Sequence, residues 1–379
     1  MIEARFTGAE LLLETGFEQG DLSIADGRIQ GDGGDLKEVD LSGFRVLPGI
    51  VDLHGDGFER HVAPRRGALR DVGQGILATE AELASNGITT AWIAQFWSWE
   101  GGMRGPDFAE RVFEAVAALQ GSVPTDLHMQ LRLETHLLDE FARAESIVAL
   151  RGIDYVVFND HLQHARLAEG RRPKQLTGQA LKSGRSPEAH LALMQALHDR
   201  HDEVPSALDA LGQRLVARGV RLGSHDDRTD EDRAAMRARG AHVAEFPETL
   251  DAARAARTAG DAVVMGAPNV MRAGSHKGNV SAHEIIREGL CDALASDYHY
   301  PAPRLAALSL VSEIGWTSAW RLVSEGPARV MGFKDRGRIE LGMRADLLVL
   351  DAEDRVAMTV AGGVVSYASG PVATRLLQA

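Results

Sequence analysis

A histidine and a carboxylate stand together where an apolar run of the chain ends. Segment 47–66, LPGIVDLHGDGFERHVAPRR, places His54 two residues before Asp56, directly after the run. Imidazole and carboxylate groups at such a point can bind a divalent metal ion, although an isolated pair of this kind is more often a polar turn after a strand. The rest of the chain has to decide between the two interpretations.

Other apolar runs end in the same types of side chain. Five of the eight strand-like runs do so, and their terminal residues, besides His54 and Asp56, are Glu134, His136, Asp160, His161, His225, Asp226, Asp227, Asp297 and His299. Taken singly, each could be a hydrogen-bonded surface residue, and Asp226 or Asp227 could cap a helix that starts near Thr229. Their recurrence favours a metal site, and the mixture of imidazole with carboxylate suits zinc, manganese, iron or cobalt better than calcium.

The spacing of the apolar runs predicts the fold that would gather these residues. The runs cover 50–56, 88–95, 127–136, 153–161, 220–227, 241–248, 262–269 and 292–299. Amphipathic stretches separate them, which predicts a (β/α)₈ TIM-type barrel over 47–335. A doubly wound open sheet is the alternative, but it would not place polar residues at nearly every strand end. Short β-runs in 1–46 and 336–379 predict a small β-sandwich built from both termini.

Two of the strand-end carboxylates have candidate roles. If two metal ions bind, Glu134 is the better bridging ligand, because none of the lysines (37, 174, 182, 277 and 334) ends a strand. Asp297, at the end of the eighth strand, is a natural general base that could accept a proton from the attacking water.

A second set of residues could bind an anionic group. The segment 265–279, MGAPNVMRAGSHKGN, follows the seventh strand, where phosphate often binds in barrels. Its backbone amides and the side chains of Arg272, Ser275, His276 and Lys277 suit phosphate. Arg65 and Arg66 add positive charge, and the basic insert 166–190 is predicted to be an active-site loop or lid. The aromatic segment 95–100 is given no chemical role.

Composition limits the class of partner. The net charge of −13 argues against a nucleic-acid or membrane-surface partner but allows an anionic small-molecule substrate at a locally positive site. The first residues lack the pattern of a signal peptide, and a single cysteine, Cys291, fits a cytoplasmic protein.

These motifs carry a resemblance to a known family. The segment LPGIVDLHGDGFERH, the closing GMRADLLVLD and the two β-rich ends resemble the amidohydrolase superfamily. Within it, the run from GSHDD through VVMGAPNVMRAGSHKGNVSA to LASDYHYPA resembles the PhnM family of the carbon–phosphorus lyase pathway. The resemblance implies a diphosphatase that hydrolyses α-D-ribose 1-methylphosphonate 5-triphosphate to the 5-phosphate and pyrophosphate. The chain departs from the family pattern in 55–59 and at Arg66, where the substrate would be contacted.

The resemblance also implies a set of site residues. Its divalent metals, expected to be two ions of zinc, manganese or iron, would be held by His54, Asp56, Glu134, His161, His225 and Asp297. The substrate would contact Arg65, Asn269, Arg272, Ser275, His276 and Lys277. The choice between His136 and His161 as a ligand stays open, and a homodimer is compatible with the family. An amide hydrolase or deacetylase acting on a small, phosphorylated substrate is the alternative function, and a non-catalytic scaffold is the weaker one.

Overall fold

The computed structural model describes residues 1–31, 34–65, 71–272 and 279–379. Its strands are β1 (Ala4–Leu13), β2 (Gly16–Ala25), β3 (Arg28–Gln30), β4 (Lys37–Asp40), β5 (Arg45–Pro48), β6 (Ile50–Gly55), β7 (Ile88–Trp97), β8 (Asp126–Glu134), β9 (Tyr155–Asn159), β10 (Arg221–His225), β11 (Ala241–Glu245), β12 (Ala262–Gly266), β13 (Ala293–Ala295), β14 (Leu347–Leu350), β15 (Val356–Ala361) and β16 (Val364–Ala368).

Helices connect most of these strands. They are α1 (Glu59–Val62), α2 (Val72–Ser85), α3 (Pro106–Leu119), α4 (Phe141–Arg151), α5 (His164–Ala168), α6 (Leu176–Ser183), α7 (Pro187–His198), α8 (Val204–Ala217), α9 (Asp230–Ala238), α10 (Leu250–Thr258), α11 (Ala267–Met271), α12 (Ala282–Arg287), α13 (Ala302–Ile314), α14 (Trp316–Arg321), α15 (Glu325–Val330) and α16 (Gly370–Gln378). Three short 3₁₀ turns cover Gly102–Arg104, Leu138–Glu140 and His201–Glu203.

The eight strands from β6 to β13 form the predicted barrel. They follow one another in sequence order within a single sheet, with helices between them. A parallel bridge between Gly55 and Asp297 joins the first strand to the end of the last. The predicted (β/α)₈ fold class is therefore confirmed, and the carboxyl ends of its strands are where such barrels carry their chemistry.

Strands from both chain ends form a separate, mostly antiparallel sheet, as predicted. Its order is β16-β15-β14-β5-β1-β2-β3, and β4 also pairs with β1. The C-terminal strand β14 pairs antiparallel with β5, so that Val349 lies opposite Val46. Both side chains are fully buried in the apolar cluster of this sheet, together with Phe6 and Met358.

The chain divides into two compact units. One contains residues 1–93, 118–128 and 264–379, and the other contains 94–117 and 129–263. The first includes the sheet of both termini, β6 and β13, whereas the second includes β9, β10 and β11 with the helices α4 to α10.

The basic insert 166–190 of the second unit is largely helical. It contains α6 and the start of α7, and Leu176 and Met194 of these helices are buried with Trp99 and Leu162 in one apolar cluster. The prediction of a loop or lid was wrong about its structure, because apolar side chains four residues apart, such as Leu176 and Ala180, give α6 one buried face.

The described helices include no candidate for a membrane span, since none is both long and apolar enough to cross a bilayer.

Candidate active site

The first unit brings together His54, Asp56 and Asp297. One ligand atom from each of the three side chains lies within 4.8 Å of the others. Their backbones are also tied, since the Asp297 amide donates to the His54 carbonyl at 2.8 Å and the Asp56 amide donates to the Asp297 carbonyl at 2.9 Å. His54 is fully buried and the two aspartates are half-buried. Three residues that sequence analysis predicted from the ends of the first and eighth strands thus form one cluster.

The backbone around this cluster is unusual. Asp297 has φ 55°, in the left-handed region that costs free energy for a residue with a Cβ. Gly55 leaves no room for a side chain, because a Cβ there would lie 2.6 Å from the Tyr300 ring and 2.9 Å from Asp52 Oδ2. Close packing and a strained residue together fix the direction in which Asp297 points.

A buried carboxylate supports the cluster from within β6. The Ser296 amide and hydroxyl donate to Asp52 at 2.8 and 2.5 Å, and the His54 amide also points to this carboxylate at 3.4 Å. Burial raises the pKa of Asp52, against the opposing effect of its donors. Asp52 therefore connects β6 to the residue that precedes Asp297, and it acts as a positioning group.

Two arginines lie beside the same cluster. Arg60 of α1 donates to the Tyr298 carbonyl at 2.9 Å. The Arg272 guanidinium lies 5.3 Å from the centroid of the Tyr298 ring. Burial raises the pKa of the Tyr298 hydroxyl, with Arg272 opposing and Asp297 adding to the shift. Arg272, which was predicted to bind substrate, therefore lies next to the residue that follows Asp297.

The second unit places Glu134 and His161 in direct contact. His161 Nδ1 contacts Glu134 Oε1, and the His161 amide donates to Glu134 Oε2 at 3.2 Å. Burial acts to lower the pKa of His161, but the charge and hydrogen bond of Glu134 outweigh it, and the net shift is upward. Trp99 Nε1 also donates to Glu134 Oε2 at 3.1 Å. Trp99 belongs to the aromatic segment that was given no chemical role, so this positioning residue was missed.

His225 ends β10 between an arginine and a carboxylate. Arg132 Nη2 lies 3.1 Å from His225 Nε2, and His225 Nδ1 lies 3.1 Å from Asp226 Oδ2. Burial acts to raise the pKa of Asp226, but the neighbouring His225 outweighs it and holds the pKa well below its usual range. The Arg132 guanidinium also stacks 3.8 Å from the centroid of Phe96. Arg132 is a buried cation inside a strand, which sequence analysis did not single out.

Glu245, at the end of β11, is a further buried carboxylate that was missed. It accepts hydrogen bonds from Gln130 Nε2 and the Tyr155 hydroxyl, both at 2.7 Å. It lies opposite His225 in the β10–β11 ladder. Burial and the Glu245 charge raise the pKa of Tyr155 well above its ordinary value. Its position follows the strand-end rule that found the other carboxylates, so the sequence contained the signal.

Asp227 has a structural role instead. Its carboxylate accepts from Ser224 Oγ at 2.5 Å and from Arg233 Nη1 at 2.7 Å, in a buried network. The helix α9 is capped by Thr229, whose side chain accepts from the Asp232 amide in a complete capping box. The suggestion that Asp226 or Asp227 caps this helix was therefore wrong, because the closer threonine supplies the cap.

The other predicted substrate contacts have different surroundings. The Asn269 side chain accepts from the Ala282 amide at 3.1 Å, which joins α11 to α12. Arg65 is exposed after α1. Arg66, Ser275, His276 and Lys277 lie outside the described residues.

The donor chemistry of the first cluster fits a divalent metal ion. One imidazole and two carboxylates within 4.8 Å form a mixed nitrogen and oxygen set, which suits transition-metal ions. In the second unit, Glu134, His161 and His225 are the predicted ligands, and the His161 and His225 ring centroids are 6.4 Å apart. His136 belongs to a different histidine group with His164 and His201, so the structure associates His161 with Glu134.

Comparison with known proteins gives one full-length sequence relative. The chain is 30% identical over 367 residues to the alpha-D-ribose 1-methylphosphonate 5-triphosphate diphosphatase of Escherichia coli K12, covering 91% of this chain and 94% of that protein. No family model matches the chain.

Solved structures with the same fold are more distant in sequence. A triazine hydrolase variant has a TM-score of 0.65 at 13% identity, covering 100% of this chain and 98% of its own. The N-acetylglucosamine-6-phosphate deacetylase of Pasteurella multocida has a TM-score of 0.63 at 12% identity, covering 97% of this chain and all of its own. At these identities the likeness concerns the fold.

Proposed function

Since the chain belongs to the alpha-D-ribose 1-methylphosphonate 5-triphosphate diphosphatase family, a group of hydrolases within the amidohydrolase superfamily, we propose that it hydrolyses a phosphoanhydride bond of a sugar 5-triphosphate. The substrate resembles ribose 1-methylphosphonate 5-triphosphate, and the products are the 5-phosphate and pyrophosphate. The observation that supports this chemistry is the His54, Asp56 and Asp297 cluster, whose donor set fits a divalent ion. The single cysteine is consistent with a cytoplasmic location, which belongs to the same proposal.

Two divalent ions, of zinc, manganese or iron, are part of this proposal. His54, Asp56 and Asp297, with Glu134, His161 and His225, would hold them. When bound, such ions act as Lewis acids toward a phosphoryl oxygen and lower the pKa of a bound water toward neutrality. Trp99 orients Glu134 through its indole N–H. The hydrogen bond from the Ser296 amide to Asp52 fixes the backbone next to Asp297.

Asp297 acts as the general base in the proposed reaction. Its carboxylate accepts a proton from the attacking water as a phosphorus–oxygen bond forms, and the departing pyrophosphate takes the electron pair of the broken bond. The backbone ties between Asp297, His54 and Asp56 fix where this proton is received. A base held in advance loses no free energy to reorganisation during the reaction.

Cationic side chains balance the negative charge of the triphosphate. Arg272, whose guanidinium lies over the ring of Tyr298, the residue after Asp297, is proposed for this role. Arg65, Asn269, Ser275, His276 and Lys277 complete the proposed set of substrate contacts. Arginine suits the role because its planar fork can contact two phosphate oxygens at once.

Identification of the products tests this function. Phosphorus NMR of the metal-replete protein with the ribose triphosphate should show pyrophosphate and a 5-phosphate, and oxygen-18 water should label one of them. The N-acetylglucosamine-6-phosphate deacetylase shares the fold, so acetate release from N-acetylglucosamine 6-phosphate is the parallel assay. Acetate without pyrophosphate would replace the proposal with the amide hydrolase alternative.

A further inference from the structure

Four histidines and an aspartate form a second polar cluster in the unit of residues 94–117 and 129–263. They come from different elements: His136 follows β8, Asp160 follows β9, His164 begins α5, His198 ends α7 and His201 begins a 3₁₀ turn. One ligand atom each from His136, His164 and His201 lies within 4.8 Å of the others. None of these residues takes part in the proposed reaction.

The ring nitrogens of neighbouring histidines face one another at short distances. His136 Nε2 lies 3.4 Å from His201 Nδ1, and His164 Nδ1 lies 2.8 Å from His198 Nδ1. Ligand nitrogens about 2.0–2.1 Å from a tetrahedral zinc ion are about 3.4 Å from each other. The His136 and His201 nitrogens therefore have the separation that a tetrahedral ion requires, and a nitrogen of His164 lies within 4.8 Å of a ligand atom of each, whereas the His164–His198 contact has the length of an ordinary N–H···N hydrogen bond.

The remaining nitrogens of two rings are held by oxygen acceptors. His164 Nε2 donates to Asp160 Oδ2 at 2.9 Å, which leaves the lone pair on Nδ1. His136 Nδ1 lies 3.2 Å from Thr135 Oγ1 and 3.6 Å from Asp160 Oδ1, which leaves Nε2 toward His201. Metal-ligating histidines usually show this pattern, with the second ring nitrogen bonded to a carboxylate or hydroxyl that fixes the tautomer.

Imidazole nitrogens that converge from several elements suit transition-metal ions.

We propose that His136, His164 and His201 form a site for a divalent transition-metal ion of the zinc class, with Asp160 and Thr135 orienting the rings and His198 beside His164. The ion would connect the segment after β8, the start of α5 and the turn after α7. With three protein ligands, a water would complete a tetrahedral set, and these histidines are distinct from the residues proposed to hold the ions of the reaction.

Cobalt binding tests the site, because tetrahedral Co²⁺ absorbs visible light much more strongly than octahedral Co²⁺. The metal-depleted full-length protein is titrated with Co²⁺ alone, and bound metal is counted by elemental analysis. The His201→Gln variant should bind about one ion fewer than the wild type and lose the intense tetrahedral absorption. His164→Ala should give the same result, and His201→Gln carries the test if His164→Ala does not fold, since His201 is exposed.

Two comparisons separate this site from the active site. His242→Ala, which removes a histidine whose side chain is 56% exposed, should bind as much Co²⁺ as the wild type. His54→Asn should lose catalytic metal but keep the tetrahedral absorption. Unchanged metal content and absorption in His201→Gln, or loss of the absorption in His54→Asn, would overturn the proposal. Neither result depends on hydrolytic activity.

Discussion

Glu134 depends on the indole of Trp99 for its orientation. The carboxylate is fully buried and accepts from the Trp99 N–H and the His161 amide at the same oxygen. We predict that Trp99→Phe, which keeps an aromatic ring but removes the donor, lowers kcat by about 10-fold or more, since a hydrogen bond to a charged group contributes about 1.5–3 kcal/mol. Steady-state kinetics with the ribose triphosphate measures the effect.

Trp97→Phe is the matched control for this substitution. Trp97 is equally buried at the end of β7, and its ring packs against the Arg143 guanidinium at 5.4 Å. Trp97→Phe removes the same atoms as Trp99→Phe but takes no hydrogen-bond donor away from Glu134. Equal losses of kcat in the two variants would show that the indole N–H of Trp99 has no special role.

Sequence analysis found those side chains that combine a strand end with a metal-binding residue type. His54, Asp56 and Asp297 satisfy both conditions, and the structure clusters them. Trp99 and Arg132 do not satisfy the second condition, because neither is a metal-binding residue type. Their importance comes from packing and hydrogen bonds to residues distant in the chain. Such contacts depend on side-chain directions that a single sequence does not show.

The junction of β6 with the end of β13 should be sensitive to added volume. A Cβ on Gly55 would overlap the Tyr300 ring and approach Asp52. We predict that Gly55→Ala lowers the free energy of unfolding by about 1–3 kcal/mol, the usual cost of overpacking a close-packed interior. It should also reduce kcat, because Asp297 is bridged to Gly55. Denaturant unfolding and kinetics measure the two effects.

Gly178→Ala serves as its control. Gly178 lies inside α6, and an added Cβ there would have no atom within 4 Å. Alanine in an open helical position should stabilise the protein by up to about 1 kcal/mol and leave kcat unchanged. Equal unfolding free energies for Gly55→Ala and the wild type would contradict the packing argument.

Strand positions were easier to predict than the conformation of the insert. The alternation of apolar runs with amphipathic segments located all eight barrel strands, although β9 begins at Tyr155 and β13 covers only Ala293–Ala295. The insert 166–190 is rich in glycine and arginine, which favoured a loop. Its helices α6 and α7 are stabilised by burial against Trp99 and Leu162, which local sequence does not reveal.

The stability of the first unit should depend on pH through the ionisation of Asp126. Burial acts to raise its pKa, but His128 and Arg336 outweigh burial and hold the pKa well below its usual range. Arg336 Nη1 lies 2.6 Å from Asp126 Oδ2, which joins β8 to the segment after α15. The pKa of Asp126 is lower in the folded state than in the unfolded chain. The stabilisation that its ionised form provides is therefore fully present above about pH 4, the pKa of an unfolded aspartate, and is lost as the pH falls further.

We therefore predict that Asp126→Asn is less stable than the wild type at pH 6 and that the difference shrinks toward pH 3. Denaturant unfolding at several pH values measures it, with the exposed Asp199→Asn as a control that should follow the wild type throughout. A difference between Asp126→Asn and the wild type that is independent of pH would show that the ion pair is not the cause.

The whole chain shares its fold with hydrolases of different substrates, so the fold does not decide the reaction. A triazine hydrolase and a deacetylase reach TM-scores of 0.65 and 0.63 at 13% and 12% identity. The diphosphatase relative matches 91% of the chain at 30% identity, which shows the family. In the proposed function, the choice of substrate would depend on cations such as Arg272, which sequence analysis assigned to substrate binding.

The most direct test of the account is pyrophosphate release by the metal-replete protein and its Asp297→Asn variant. We predict rapid release by the wild type and by the exposed control Asp199→Asn, and a loss of about 100-fold or more in Asp297→Asn, since a positioned general base contributes about 10²–10⁴-fold. Equal release by Asp297→Asn, or none by the metal-loaded wild type, would contradict the proposed reaction.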